Sequence, residues 1–278
     1  MSQDSNFEIV TATINQMKWI ISMAKDEGWN PGEDDFVFQL ADPTGYFIGL
    51  LNGEPICCIS ATKYNIQAEM GYYVVKKEHR GLGYGRAIMQ HSLKYLKGYN
   101  ILIYALQHKI GTYETIGFKK HEAMIRYAGI IAKKEVISDN IYSARDIPLD
   151  KIVEYDARYF AEERKKFLSA WLMIGTANSF VYKIGDNIRG LGAIRKAQDG
   201  YRIGPLYAET PDIAITLFHR LCQDYENCKI TVECPASNAD AKELVKKFKL
   251  DKVFQGSTMY SGELPKVNLN HIYGVITH

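Results

Sequence analysis

The sequence is poor in the features that mark membrane, nucleic-acid-binding and disulfide-rich proteins. No apolar run approaches the ~20 residues that a membrane-spanning helix needs. The net charge is only +2, so neither a nucleic acid nor a membrane surface is an expected partner. The five cysteines include no C-x-x-C spacing, which predicts reduced thiols and a cytoplasmic location. The first residues, Met-Ser-Gln-Asp-Ser-Asn, do not predict a signal peptide, and no histidine has the spacing of a metal ligand.

The most informative segment that is present reads Arg-Gly-Leu-Gly-Tyr-Gly-Arg, at residues 80–86. It follows a strand-like run from Glu69 to Val75 and opens a helical run that contains Ile88 and Met89. Three alternating glycines leave a loop without side chains that would keep a ligand away. Its backbone N–H groups and the positive end of the helix dipole favour an anion such as a diphosphate. Arg80 and Arg86 add positive charge at the two ends of this loop.

The spacing of the glycines indicates which kind of phosphate loop this is. Gly81, Gly83 and Gly85 do not give the G-x-G-x-x-G of a dinucleotide-binding loop, and no Lys-Ser or Lys-Thr follows as a Walker loop requires. The stretch from Val75 to Gly85 instead resembles the V-x-P-E-x-R-G-x-G-x-G signature of the GNAT superfamily of N-acetyltransferases, with Lys77 where proline is usual.

This resemblance implies the fold class, the cofactor and the residues that bind it. The expected fold is α/β, with a mixed α+β sheet, and the expected cofactor is acetyl-CoA (coenzyme A). In the superfamily, backbone amides of the strand before the loop face the thioester. The residues that the resemblance assigns to cofactor binding are Tyr73, Val74, Val75, Arg80, Gly81, Leu82, Gly83, Tyr84, Gly85 and Arg86.

Acetyl transfer to an amine needs a base, because an amine with a pKa near 10 is neutral in only about one molecule in a thousand at pH 7. Glu69 is the candidate base, since it lies eleven residues before Arg80, the spacing of the catalytic glutamate in histone-modifying GNAT enzymes. Regular alternation would place Glu69, Gly71, Tyr73 and Val75 on one face of the strand. Two alternatives stay open: Glu69 is a solvated residue at a strand end, or Tyr73 relays the proton through water.

Two further residues are candidates for the site. Tyr113, in Tyr-Glu-Thr-Ile-Gly-Phe, resembles the tyrosine of the Y-x-x-x-G-F element of the superfamily, which implies a general acid for the departing thiolate. The alternative is a helix tyrosine packed on the sheet. Trp29, in the Gly-Trp-Asn-Pro-Gly segment, is a candidate for the acceptor pocket, with core packing as an equal alternative.

The second half of the chain repeats the order of elements of the first half. Counterparts of Val75 and Phe118 occur at Tyr207 and Leu250, about 132 residues further on. The repeat predicts a first domain at residues 1–135 and a second, degenerate GNAT-like domain at residues 136–278. A long helix is expected from Tyr155 to Leu172. The second copy of the loop reads Ala-Glu-Thr-Pro-Asp at residues 208–212, and its carboxylates predict that it does not bind CoA.

The sequence therefore predicts an acetyl-CoA-dependent N-acetyltransferase with direct transfer in a ternary complex. The expected acceptor is the primary amine of a small molecule, because the second domain would wall off the cleft. The expected assembly is a monomer or a homodimer. Two alternatives are an acyl-CoA-binding regulatory module without turnover and a protein-interaction scaffold on a GNAT fold.

Overall fold

The computed structural model describes residues 6–132, 138–173 and 177–276, and the predicted boundary between residues 135 and 136 lies outside them. Residues up to 132 are called the first half below, and those from 138 the second half. The strands of the first half are β1 (Phe7–Thr11), β2 (Tyr46–Leu51), β3 (Glu54–Lys63), β4 (Gln67–Val75), β5 (Asn100–Leu106) and β6 (Lys119–Ile130). Those of the second half are β7 (Ile141–Ser143), β8 (Asn178–Ile184), β9 (Asn187–Lys196), β10 (Tyr201–Ala208), β11 (Lys229–Pro235), β12 (Asp251–Tyr260) and β13 (Ile272–Gly274).

Helices connect these strands in the same order in both halves. They are α1 (Met17–Asp26), α2 (Tyr84–Tyr95), α3 (Ile110–Glu114), α4 (Leu149–Phe160), α5 (Lys165–Met173), α6 (Pro211–Cys222) and α7 (Ala239–Lys247). A 3-10 helix at Asp35–Leu40 precedes β2. Within the described residues, none of these helices is long and apolar enough to cross a membrane.

The described strands form one continuous mixed sheet across both halves. Their order is β1-β2-β3-β4-β5-β12-β6-β11-β10-β9-β8-β7, and β13 pairs with β10. The halves exchange their last long strands, because β12 lies beside β5 of the first half and β6 lies beside β11 of the second. The two exchanged strands also pair with each other. Neither half therefore completes its own sheet without the other.

Three hydrophobic clusters cover this sheet. Helices α2 and α3 pack on one face of the first half, and α6 and α7 pack on the sheet of the second half. The third cluster lies on the other face of the sheet. It contains buried residues of α1 and the 3-10 helix from the first half, and of α4 and α5 from the second half. It includes the stacked rings of Phe38, Phe167 and Trp171, with centroids 4.9–5.7 Å apart. Burial of this apolar surface holds the two halves together.

The predicted helix from Tyr155 to Leu172 is two helices, because the chain breaks at Ala161. Ala161 has φ +65°, a left-handed conformation that ends α4. The next residue, Glu162, accepts backbone N–H groups of Ile66 (2.7 Å) and Gln67 (2.9 Å) at the start of β4. Arg164 then pairs with buried Asp156 through two 2.8 Å bonds. The contacts of Glu162 with the first half and the Arg164–Asp156 pair override the helical pattern of the sequence.

A buried group of charged residues also joins the two halves. Asp35 of the first half pairs with Arg195 of β9 at 2.5 Å, and both side chains are at most 5% exposed. Tyr72 of β4 donates a 3.1 Å hydrogen bond to the same carboxylate. The Arg195 guanidinium stacks on Trp171, 4.4 Å from the ring centroid. A carboxylate in this setting needs these partners, since a buried unpaired charge is strongly unfavourable.

A second buried carboxylate, Glu233 of β11, continues this group. It accepts a 2.9 Å bond from Arg126 of β6 and lies 3.9 Å from Arg202 of β10. The Tyr104 hydroxyl of β5 donates to it as well. Burial, together with the neighbouring Arg126 and Arg195, lowers the pKa of Arg202 to about 9.

Asp35→Ala is expected to lower the free energy of unfolding by about 3–5 kcal/mol, because it leaves the Arg195 guanidinium buried without its carboxylate. Urea unfolding at pH 7 measures the change. Glu33→Ala is the matched control: Glu33 pairs with Lys196 of β9 at 3.4 Å, but the two side chains are 60% and 53% exposed. It should cost less than about 1 kcal/mol. Equal losses in the two variants would contradict the structural role of the buried pair.

Candidate active site

The glycine loop has the backbone conformation that its sequence suggests. Gly81 and Gly83 have φ of +79° and +92°, which favour glycine, and open space lies where their side chains would be. Gly83 is also the N-cap of α2 and makes no side-chain cap. The first N–H groups of α2 therefore have no side-chain cap and lie at the positive end of the helix dipole, as an anion site requires.

The remaining loop residues support this anion site, which is called the anion socket below. Arg80 donates its Nε–H to the Val75 carbonyl (2.9 Å) and its guanidinium pairs with Glu27 of α1, so it holds the loop against the end of β4. Gly85 allows close packing, since a Cβ there would lie 2.8 Å from the Tyr73 hydroxyl. Tyr84 packs on Phe7 of β1 with ring centroids 4.8 Å apart. Leu82 and Arg86 are exposed beside the socket.

A cleft opens between β4 and β5 next to this loop. The two strands pair in parallel only from Gln67–Asn100 to Met70–Ile103. No pairing joins them beyond this point in the described chain, although β4 continues to Val75 and β5 to Leu106. The far edge of β5 is covered by β12, so the cleft is bounded by strands on both sides. Its backbone groups are available to an extended ligand.

A bulge lies in β4 where the strands diverge. Between the ladder pairs Cys58–Val74 and Ser60–Gly71, β4 has one residue more than β3. Tyr72 within this bulge has φ +46°, a conformation that is uncommon outside glycine and often marks a functional site. Glycine inside a strand is a sequence signal for such a bulge, and Gly71 provides it.

The bulge overturns the expected alternation of side chains. Met70 and Tyr73 both belong to the cluster on the α2 face, whereas Tyr72 and Val74 belong to the cluster on the other face. The prediction that Glu69 shares a face with Tyr73 and Val75 is therefore wrong, because the extra residue reverses the pattern between them. Tyr73 and Val75 face α2 and the glycine loop, and Glu69 faces the opposite side of the sheet.

Tyr113 of α3 lies on the same face as Tyr73. Burial, with a smaller effect from Tyr73, raises the pKa of its hydroxyl to about 12. Its ring packs edge-on against Phe118, with centroids 5.9 Å apart. Its carbonyl accepts the Phe118 N–H at 3.1 Å in the turn that follows α3, where Gly117 has φ +96°. The hydroxyl is thus held in its protonated form beside the cleft.

A cavity lies on the other face of the sheet, at the junction of the two halves. Glu69 lines it near the point where β4 and β5 diverge, and Glu122 of β6 provides a second carboxylate. The Glu122 carboxylate accepts the Ser237 N–H at 3.1 Å. Most of the other lining side chains are aromatic or aliphatic. The aromatic members are Tyr104, His121, Tyr159, Phe160, Tyr207 and Tyr260.

Sequence reasoning missed most of this cavity. Tyr104 and His121 come from strands without a recognisable motif, and Tyr260 comes from the second half. Burial lowers the pKa of His121, which packs edge-on against Tyr260. Trp29 is not among the residues that line this cavity. It packs at the edge of the third cluster, where its carbonyl accepts a 3.2 Å bond from Arg126. Contact between Trp29 and an acceptor stays a prediction.

The equivalent loop of the second half lacks the features of the anion socket. The Thr210 hydroxyl caps α6 by accepting the Ile213 N–H, and Pro211 supplies no N–H group at all. Asp212 adds a carboxylate to the first turn. The parallel pairing of β10 and β11 likewise ends, at Ile203–Val232, but β13 pairs with β10 beyond that point.

Comparison with known proteins agrees with this architecture. Residues 14–118 match the family model described as "Acetyltransferase (GNAT) family", and residues 152–274 match the model described as "Acetyltransferase (GNAT) domain". The chain is 24% identical over 278 residues to a holothin acyltransferase of a Pseudoalteromonas species, covering 99% of this chain and 95% of that protein.

Solved structures show the same fold. A putative acetyltransferase from Pyrococcus horikoshii is 23% identical and superposes with a TM-score of 0.84, covering 100% of this chain and 96% of the other. A tandem GNAT protein from the clavulanic acid biosynthesis pathway, 12% identical, has a TM-score of 0.63 and covers 93% of this chain and all of its own. The chain belongs to the GNAT acyltransferases and contains two GNAT domains in tandem.

Proposed function

We propose that this protein is an acetyl-CoA-dependent N-acetyltransferase that acts on the primary amine of a small molecule by direct attack in a ternary complex. In this proposal residues 1–135 form the catalytic domain, and residues 136–278 form the second domain, which does not bind CoA. The five cysteines are all unpaired thiols, which supports a cytoplasmic location.

The observation that carries the proposal is the cleft between β4 and β5, which connects two different environments. At the α2 face it begins at the uncapped helix N-terminus and the glycine loop, which suit the diphosphate of CoA. The extended pantetheine arm, with its two amide groups, fits the unpaired strand edges. At the other face lies the cavity with Glu69. A thioester in the cleft would therefore separate a cofactor side from an acceptor side.

The reaction assigns one role to each side of the sheet. Glu69 accepts the proton of the acceptor ammonium, which offsets ~4 kcal/mol because so little of the amine is neutral at pH 7. Backbone N–H groups of β4 near Tyr73, Val74 and Val75 stabilise the oxyanion. Tyr113, on the α2 face, donates a proton to the sulfur as the carbon–sulfur bond breaks. The second amine proton passes to water as the intermediate collapses, and water returns a proton to Tyr113. CoA thiol and the acetylated amine leave.

Direct attack is favoured over an acetyl-cysteine intermediate. The cysteines nearest the cleft are Cys57 and Cys58 of β3, which lie opposite Val75 and Val74 of β4 in the sheet. Burial raises the pKa of Cys57 to about 11 and that of Cys58 further, so neither forms the thiolate that would attack the thioester near pH 7. Intersecting initial-velocity plots are expected, whereas parallel plots would indicate a covalent intermediate.

Calorimetric titration of acetyl-CoA tests the cofactor site. The wild type should bind at one site per chain, and Gly83→Glu should lose binding because a carboxylate enters the anion socket. Gly53→Glu is the matched control: Gly53 has φ +85° and open space around it, but lies in the β2–β3 turn. It carries the same strain and the same charge. Two sites in the wild type, or equal loss in both variants, would contradict the assignment.

Glu69→Gln tests the base. It should lower kcat about 100-fold or more, while acetyl-CoA binding is unchanged. Glu122→Gln removes the same charge from the same cavity and should change mainly the KM of the acceptor. Unchanged turnover in Glu69→Gln would instead favour Tyr73 with water, or His121, as the route of the proton. Acetyl-CoA binding without turnover of any amine would favour the regulatory module.

Tyr113→Phe tests the acid. A thiol with a pKa near 8.5 needs a proton only below that pH, so the loss in kcat should be about tenfold at pH 7 and shrink above about pH 9. Ionisation of Tyr113 should not lower the kcat of the wild type up to pH 10, because the pKa of the hydroxyl is about 12. Tyr99→Phe removes a hydroxyl from the same hydrophobic cluster as a control. A loss that is independent of pH would indicate a packing role.

A further inference from the structure

The cleft of the second half is occupied by the protein's own chain. Strand β13 pairs with β10 at Leu206–Gly274 and Tyr207–Ile272. On its other side the Val275 N–H donates to the Glu233 carbonyl of β11 at 2.8 Å. Gly204 of β10 permits this approach, because a Cβ there would collide with the Val275 carbonyl. The protein's own chain thus provides hydrogen-bond partners for the backbone groups of β10 and β11 where these strands diverge.

One buried side chain fixes the segment that leads into this strand. The Asn238 side chain is fully buried, and its amide donates to the carbonyls of Leu269 (3.1 Å), Asn270 (3.1 Å) and Ile272 (2.9 Å). Its Oδ1 accepts the Ala241 N–H at 2.9 Å and caps α7. A single residue therefore ties residues 269–272 to the start of a helix.

The same segment is a wall of the acceptor-side cavity. From 265 to 270 its residues alternate between half-buried and exposed, with Val267 facing inward and Lys266 outward. Residues 265–276 are called the C-terminal wall here. Its members that line the cavity are all apolar: Pro265, Val267, Leu269, Ile272, Val275 and Ile276. The cavity therefore combines an extensive apolar surface with two carboxylates, Glu69 and Glu122. The Arg164 guanidinium also lines it, but this charge is paired with Asp156.

We propose that the C-terminal wall determines which amine is acetylated, that Asn238 is its positioning residue, and that the acceptor is a primary amine on an apolar or aromatic body. The ammonium group lies toward Glu69, and the body lies against the wall and the tyrosines opposite. This inference rests on the proposed function. It gives the second domain a defined task, since its closed cleft anchors the wall of the first domain's acceptor site.

The first test compares phenethylamine and glucosamine as acceptors for the full-length wild type. Phenethylamine should have a kcat/KM about tenfold or more above that of glucosamine, because an apolar wall cannot satisfy the hydroxyl groups of a sugar. A preference for glucosamine, or binding of acetyl-CoA without acetylation of phenethylamine or tryptamine, overturns the assigned acceptor class. Failure to bind acetyl-CoA overturns the proposed function instead.

The second test separates positioning from folding. Asn238→Asp keeps the oxygen that caps α7 but removes the donors to three carbonyl groups. The KM of phenethylamine should rise about tenfold, with kcat within about threefold and the Kd of acetyl-CoA unchanged. Val267→Ala, which shortens the wall without touching Asn238, should lower the preference for phenethylamine and keeps the test decisive if Asn238→Asp does not fold.

Lys266→Ala, on the exposed side of the same segment, is the control for both variants. For each variant the measured quantity is the ratio of kcat/KM for phenethylamine to kcat/KM for glucosamine. If this ratio is the same in Val267→Ala and Lys266→Ala, the wall does not determine specificity. If Asn238→Asp folds and lowers kcat and acetyl-CoA affinity together, Asn238 has a general structural role and the positioning assignment is wrong.

Discussion

The structure of this molecule depends on how it satisfies the backbone groups of diverging parallel strands. Where two such strands separate, each strand has a row of backbone donors and acceptors that need other partners. In both halves the parallel pairing stops after a few residues, at Met70–Ile103 and at Ile203–Val232. The second half satisfies the exposed edges with β13. The first half leaves its cleft open beside a helix N-terminus that also lacks a cap. The two domains thus solve one problem in two ways.

Strand exchange makes the relation between the domains rigid. Because β12 lies between β5 and β6, the domains cannot separate without breaking three ladders of the sheet. The buried pair of Asp35 and Arg195 fixes the start of the 3-10 helix against β9. The cavity beside Glu69 is therefore built from both domains at fixed positions. Residues of the two domains can line one cavity in a constant arrangement because the assembly is rigid.

The sequence predicted the local features and missed those that depend on distant pairing. The glycine loop, the order of elements and the tandem repeat follow from motif and periodicity. The reversal of side chains at Tyr72 was missed, although Gly71 is a signal for a bulge. The break at Ala161 and the insertion of β13 could not be predicted, because Glu162 and Asn238 act through contacts with segments about 30–100 residues away.

The second half also indicates what the first half needs. Its β10 has a register shift near Gly204, as β4 has near Gly71, although its loop has lost the glycines. The divergence of the strands is therefore a property of the fold that does not require a phosphate socket. A peptide fills the cleft where the socket is gone. Where the socket is present, an extended chain with amide groups that ends in a diphosphate would fit the open cleft, and the pantetheine arm of the proposed CoA has both features. The filled cleft of one domain is thus an argument for the ligand of the other.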